Sequence, residues 1–265
     1  MIAQRHYGVA CWWCGGVADS REHRYKKADV VRQFGAGPYR GEEGLVRGIE
    51  QSLRTIQGPR SREITFPPNL CQRCNSGRSQ LMDRAYDRFI SRVHESEEAV
   101  LETRSFAWSD IFPEEWESGR DNVKRYLAKH VGSRLASAHI EVGEGIISFL
   151  NAWVDQPQGL DLRMEIREDI VALQRRLKSD GLGEGSLWIG DLEVIHNPTT
   201  GALRNVRGFY GYRWLRINYE YDDSLRGASN FEGDAVHLSA DFNVNPSEVS
   251  SWDPEHDPPL GSGRT

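Results

Sequence analysis

The chain has four cysteines, and they fall into two Cys-x2-Cys pairs, Cys11/Cys14 and Cys71/Cys74. No other feature of the sequence constrains the fold as strongly. Thiolates on a tight turn supply two corners each of a tetrahedral metal site, so two such pairs predict one four-cysteine zinc site that ties residue 11 to residue 74. Zn–S bonds near 2.3 Å would bring the sulfurs within about 4 Å of one another. Paired disulfides are the alternative, and a reducing compartment disfavours them. A redox Cys-x-x-Cys would open a helix after a strand, which neither pair does. The stretch between Cys14 and Cys71 is far longer than a zinc ribbon or finger needs, so further structure is expected inside that loop.

Composition sets the class. With 265 residues and 38% apolar content, the chain can bury the core of one large domain or two modest ones. No apolar run approaches a bilayer span and the N-terminus has no signal-peptide core, so a soluble, cytoplasmic protein without membrane association is expected. The net charge of −6 is unevenly spread: residues 1–100 hold 16 Lys and Arg against 12 Asp and Glu, and residues 101–265 hold 17 against 27. Such asymmetry predicts two parts with different jobs.

Periodicity places the elements. Segment 18–27 and "REITF" (62–66) read as short strands, the second halted by Pro67-Pro68, and "DVVRQFG" reads as a short helix ended by Gly35. Leu81, Met82, Ala85, Phe89, Ile90 and Val93 predict one apolar face on a helix of about twenty residues starting near Arg78. "SDIFPEEW" (109–116) signals another helix, and Val123, Tyr126, Leu127, Val131 and Leu135 a third. A further helix is expected over 164–179, before "DGLGEG". From there to about 245 the period becomes two, through "SLWIGDLEVI", the turn "NPTTG", Leu215–Tyr221 and Val236–Val244, which predicts an antiparallel sheet with one wet face. The tail from Ser251 is rich in Pro, Gly and Asp and predicts disorder. The fold class expected is α+β, divided as a zinc domain over 1–98, an α+β domain over 99–250 and a tail over 251–265.

The order of motifs carries the chemistry: Cys11-x2-Cys14, then Glu22-His23, then Asn69-Leu70-Cys71-x2-Cys74-Asn75. In this order the chain resembles the HNH endonucleases with a zinc-stabilised, four-cysteine ββα-metal core, in the variant that carries Asn at the last motif position. The resemblance covers roughly residues 8–95. It implies a hydrolase of nucleic-acid phosphodiester bonds with a structural Zn2+ and a catalytic Mg2+ or Mn2+. By that resemblance His23 is the general base, Glu22 and Asn75 are oxygen ligands of the divalent ion, and Asn69 orients the loop or the His23 ring. Each role suits its residue type: a hard cation takes carboxylate and amide oxygens, and an imidazole titrates near operating pH. Glu22 stands where many relatives have Asp, one methylene shorter.

Further residues are weighed beside these. Asp83 falls eight positions after Asn75 on one helical face, as an extra ligand or as a solvated helix residue. Lys26, Lys27, Arg73 and Arg78 lie close in sequence to the motif and are candidates to hold phosphates. Trp12 and Trp13 read as packing against the second knuckle. Tyr210, Tyr212 and Trp214 read as sheet residues, with an aromatic platform for bases as the sharper alternative. The expected partner is nucleic acid, DNA in the first place, with a protein-binding or regulatory role for the acidic part. Standalone bacterial proteins of this resemblance often serve in defence or mobile elements. The competing reading is a catalytically inactive, zinc-stabilised module that binds nucleic acid or protein.

Overall fold

The computed structural model describes residues 10–40, 45–49, 52–181, 185–226 and 231–251. All but the first residue of the tail therefore lies outside the described residues. The protein is a mixed helical and sheet structure, as α+β patterning requires. Among the described residues, no helix is long and apolar enough to cross a membrane.

The order begins with helix α1 (Lys27–Phe34), the hairpin β1 (Leu45–Ile49) and β2 (Ser52–Ile56), then α2 (Gln80–Glu95), α3 (Glu97–Thr103), β3 (Ser105–Ala107) and α4 (Trp108–Ile111). It continues with α5 (Trp116–Ser137), α6 (Glu144–Leu150), β4 (Gln158–Arg167), α7 (Glu168–Ser179), β5 (Leu187–Ile189) and β6 (Glu193–His196). Last come β7 (Leu203–Tyr212), β8 (Leu215–Arg226), β9 (Ala235–His237), β10 (Ser239–Asp241) and α8 (Pro246–Ser251). The main sheet runs β10-β4-β8-β7-β5, with β6 also on β7. Every pairing in it is antiparallel except β10 on β4. Leu160, Leu162, Met164 and Ile166 of β4 and Leu215, Ile217, Tyr219 and Tyr221 of β8 are buried, because a pleated strand sends alternate side chains to one face.

Several elements differ from the sequence-based expectation. The helix expected over 164–179 is a strand as far as Arg167 and a helix from Glu168, since the alternation that starts at Leu160 continues into Ile166. The expected strand over 236–244 breaks at Leu238: β9 pairs with β3 and β10 with β4. "REITF" holds a 3-10 turn over Arg62–Ile64 rather than a strand, and "SDIFPEEW" is split, ending α4 at Ile111 and starting α5 at Trp116. Gly35 does end α1, with φ +77°. Leu81 stands off the buried face of α2 and is exposed.

α5 is the central post. It is buried almost all round from Val123 to Ala136, including Lys124, Lys129, His130, Ser133 and Arg134. One cluster of buried apolar side chains runs from Cys11 to Leu238 and crosses residue 98 without a break. Trp12 fits this post at Gly132, where a Cβ would come within 2.5 Å of the indole ring. Only glycine permits that approach.

Candidate metal centre and the charged site beside it

Each cysteine pair sits on a turn that aims its thiols inward. In the first, Cys11 N–H donates to the Gly16 carbonyl at 2.6 Å and Gly15 N–H to the Cys11 carbonyl at 2.8 Å, with Gly15 at φ +76°. In the second, a π-helical turn over Arg73–Arg78 leads into α2, and Cys74 N–H reaches Cys71 Sγ at 3.4 Å. All four Sγ atoms lie within 4.8 Å of one another, and the Cys14–Cys71 pair is 3.6 Å apart. The edge of a tetrahedron with 2.3 Å Zn–S bonds is about 3.8 Å. None of the four is in a disulfide. Contact with Cys74 pulls the Cys11 thiol down, and the same contact pushes Cys74 up. A soft, closed four-thiol cage of this size can hold a metal ion such as zinc.

Beside the cage, two extended segments run antiparallel. Ser20 N–H donates to the Leu70 carbonyl, Phe66 N–H to that of Glu22 and Arg24 N–H to that of Ile64, each at 2.8 Å. Asn75, next to Cys74, folds back onto the first segment, its Nδ2 donating to Ser20 Oγ at 2.9 Å and to the Arg21 carbonyl at 3.1 Å. A carbonyl only accepts, so the Arg21 contact fixes which way the amide faces. Its Oδ1 is then buried with no hydrogen-bond partner, at a cost of about 1–3 kcal/mol unless something cationic or hydrogen-donating meets it.

Glu22 and His23, adjacent on the first segment, meet different neighbours. Glu22 is buried and its Oε2 lies 3.0 Å from Lys129 Nζ. Half-buried His23 hydrogen-bonds to the Pro59 backbone, necessarily to the carbonyl, because proline has no N–H. Burial holds the imidazole below its ordinary pKa of 6.5, against the opposing pull of the Glu22 carboxylate. The ring is therefore neutral at neutral pH, with one nitrogen donating to Pro59 and the other an acceptor.

Lys129 is the residue that sequence reasoning missed. It comes from α5, is 1% exposed, and lies 3.0 Å from both Glu22 Oε2 and Asp83 Oδ1. The two carboxylates hold its pKa above the ordinary value despite burial. Asp83 is engaged on both oxygens, the second accepting from Ser79 Oγ at 2.7 Å. Lys26 adds a second ammonium, 3.1 Å from Asp87 and 3.8 Å from Asp83. Local sequence gives no signal for it, because at 100° per residue Lys129 falls on the side of the helix opposite Leu127, Val131 and Leu135.

The remaining candidates disperse. Asn69 is buried, its Nδ2 donating to the Ser133 carbonyl at 2.8 Å and to Ser137 Oγ at 3.0 Å; it ties the segment to α5, and no contact joins it to His23. Lys27 and Arg73 are exposed. Arg78 lies over the Trp13 ring at 5.2 Å and donates to Asn151 Oδ1 at 2.9 Å. Trp12 and Trp13 reach past the knuckles, their Nε1 atoms donating to Ser133 Oγ and Asn151 Oδ1. Tyr210, Tyr212 and Trp214 are buried and offer no platform. Of the oxygen donors that the resemblance implies for a divalent ion, Asn75 Oδ1 is unpartnered and the Glu22 carboxylate is already paired with Lys129. Comparison of the chain with protein-family models, with curated proteins and with solved structures returns no match.

Proposed function

We propose that the chain is a metal-dependent endonuclease of HNH type, with residues 10–95 as a zinc-held strand–strand–helix core acting on nucleic acid, DNA in the first place. The single observation that carries the reading is Asn75. It is joined to the thiol cage through Cys74, oriented by the Arg21 carbonyl one residue before Glu22, and left with a buried, orphaned oxygen. Glu22 and Asn75 would hold a Mg2+ or Mn2+ ion, which when bound neutralises the scissile phosphate and the charge on the leaving oxygen.

The chain's own residues do the rest. His23, neutral and held by Pro59, accepts the proton of the attacking water on its free ring nitrogen. Lys129 holds the Glu22 carboxylate in place from behind. Exposed Lys27 and Arg73 contact phosphates without reading sequence. The part after residue 98 supplies Lys129 and carries specificity, regulation or a partner surface, and a role in defence or mobile-element biology fits such an arrangement.

Plasmid nicking tests this. The parent protein should nick with Mg2+ or Mn2+, His23→Ala should lose about 100- to 10,000-fold, as removal of a general base does, and Asn75→Ala should need more metal. Equal activity of parent and His23→Ala, or none in either with DNA and RNA, overturns the reading. The second reading is an inactive zinc-held binding module. It is favoured by Lys129 standing between the two carboxylates, and it requires nucleic-acid binding without cleavage in the same assays.

A further inference from the structure

A groove of about 760 Å³ is lined in part by Pro59, the backbone partner of His23. It runs between α1 and the turn after β2, and its walls include Val31, Pro38, Gly58 and Pro59, with Lys27 and Arg60 at the rim. Two of these residues connect it to the candidate base: Pro59 accepts the His23 hydrogen bond, and Lys27 lies close enough to act on the His23 charge. Val31, Pro38 and Pro59 make its apolar faces. Lys27 and Arg60 are exposed, and neither forms an ion pair with a carboxylate of the described residues, whereas neighbouring Lys26 is held by Asp83 and Asp87.

We propose that this groove is a subsite for one unstacked nucleotide of a single-stranded nucleic acid, next to the bond that is cut. The inference rests on the nuclease reading for its place in the reaction, and on the groove for its ligand. Apolar walls suit the flat face of a base, and free cations at the rim suit the phosphates on either side of it. The groove is open along one side, as a site crossed by a continuing strand must be. A paired, stacked duplex keeps its bases out of such a groove; a single strand or the unpaired arm of a branch can present one.

Gly58 supplies a clean probe, because a Cβ there would meet nothing within 4 Å. Gly58→Leu should fill the groove while leaving zinc content and the unfolding midpoint unchanged. Binding is read by fluorescence anisotropy of labelled DNA and RNA oligonucleotides, single-stranded and blunt duplex, with Ca2+ as the divalent ion. The parent should bind single strands at least about tenfold tighter than duplex, since covering about 60 Å² of a base's apolar face contributes about 1.5 kcal/mol. Gly58→Leu should erase that preference, and Lys27→Ala/Arg60→Ala should weaken binding and flatten its salt dependence. The better of the DNA and RNA arms identifies the sugar. Equal binding of single strand and duplex by the parent, or unchanged single-strand binding by Gly58→Leu, overturns the subsite. The two readings separate cleanly: nicking by the parent with an unaffected Gly58→Leu sinks only the subsite, and a single-strand preference lost in Gly58→Leu without cleavage sinks only the nuclease.

Discussion

The molecule has two anionic clusters a few residues apart, and it balances them in opposite ways. Four thiols from residues 11, 14, 71 and 74 face one another within 4.8 Å, and the nearest protein cation is Arg78, 3.9 Å from Cys74 Sγ. Two carboxylates, Glu22 and Asp83, instead face an ammonium of the chain itself, Lys129 of α5, at 3.0 Å each. The difference follows from chemistry. Soft thiolates suit a soft or borderline metal and gain little from an ammonium, whereas carboxylates pair well with Lys. The thiol cage therefore ties the N-terminal segment to itself, and the lysine ties it to the rest of the fold.

The largest effect should come from emptying the cage. Structural zinc binding contributes on the order of 10 kcal/mol to small zinc-finger segments, so a strong chelator, or Cys11→Ser with Cys74→Ser, should unfold residues 10–75. The near-ultraviolet dichroism of the stacked Trp12–Trp13 pair should vanish with one zinc released per chain, and retention of that signal after zinc loss would refute the cage as a support. Lys129→Met should come next, at about 3–5 kcal/mol in urea unfolding, because it leaves buried Glu22 without its cation and Asp83 with Lys26 alone. Adding Glu22→Gln and Asp83→Asn should recover most of that loss. If the single and triple variants unfold alike, the ion pairs are not what holds α5 to the segment.

How much of this was legible in the sequence follows the same division. Both Cys-x2-Cys pairs are local patterns, so the cage was readable from residue spacing alone, as was the α2 face at Met82, Ala85, Phe89, Ile90 and Val93, with Leu81 the one position misplaced. Lys129, His130, Ser133 and Arg134 were not readable as buried. On a helix Lys129 and Ser133 fall opposite the apolar positions 127, 131 and 135 and look like a wet face, while His130 and Arg134 border the apolar side and look like its polar edge. They are covered because the zinc-held segment and the sheet both dock there: His130 Nε2 meets the Arg24 carbonyl at 2.9 Å and Arg134 the Phe209 carbonyl at 3.1 Å. Such burial comes from contacts far apart in the chain, which no local period encodes. The β4–α7 junction failed for a different reason, since Ile166 ends the alternation of β4 and also begins the helical spacing Ile166, Ile170, Leu173 and Leu177.

A third buried anion gives the smallest and most specific test, because it has neither metal nor lysine at its centre. Asp29 is fully buried, and it accepts from Tyr86 and Tyr210 hydroxyls at 3.0 Å and from Arg32 at 2.8 Å. Burial outweighs Arg32 and the two tyrosines and raises its pKa from 3.8 to about 6. An acid with a raised folded-state pKa binds its proton more tightly in the native state, so its contribution is present below pH 3.8 and is lost as pH rises through about 6. His130 has the opposite sign. Burial lowers it from 6.5 to about 3, so the unfolded chain takes up the proton first and stability is lost as pH falls below 6.5. Between pH 3.8 and 6 the two slopes oppose and nearly cancel. Asp29→Asn removes one of them: it should stay within about 2 kcal/mol of the parent at neutral pH, as expected for exchanging one hydrogen-bonded group for another, and then lose stability steeply on acidification across that window. His130→Gln should do the reverse and gain stability as pH falls from 6 to 3.8. Urea midpoints followed through that range decide it, and parallel profiles for the parent and both variants would show that neither group titrates as its burial requires.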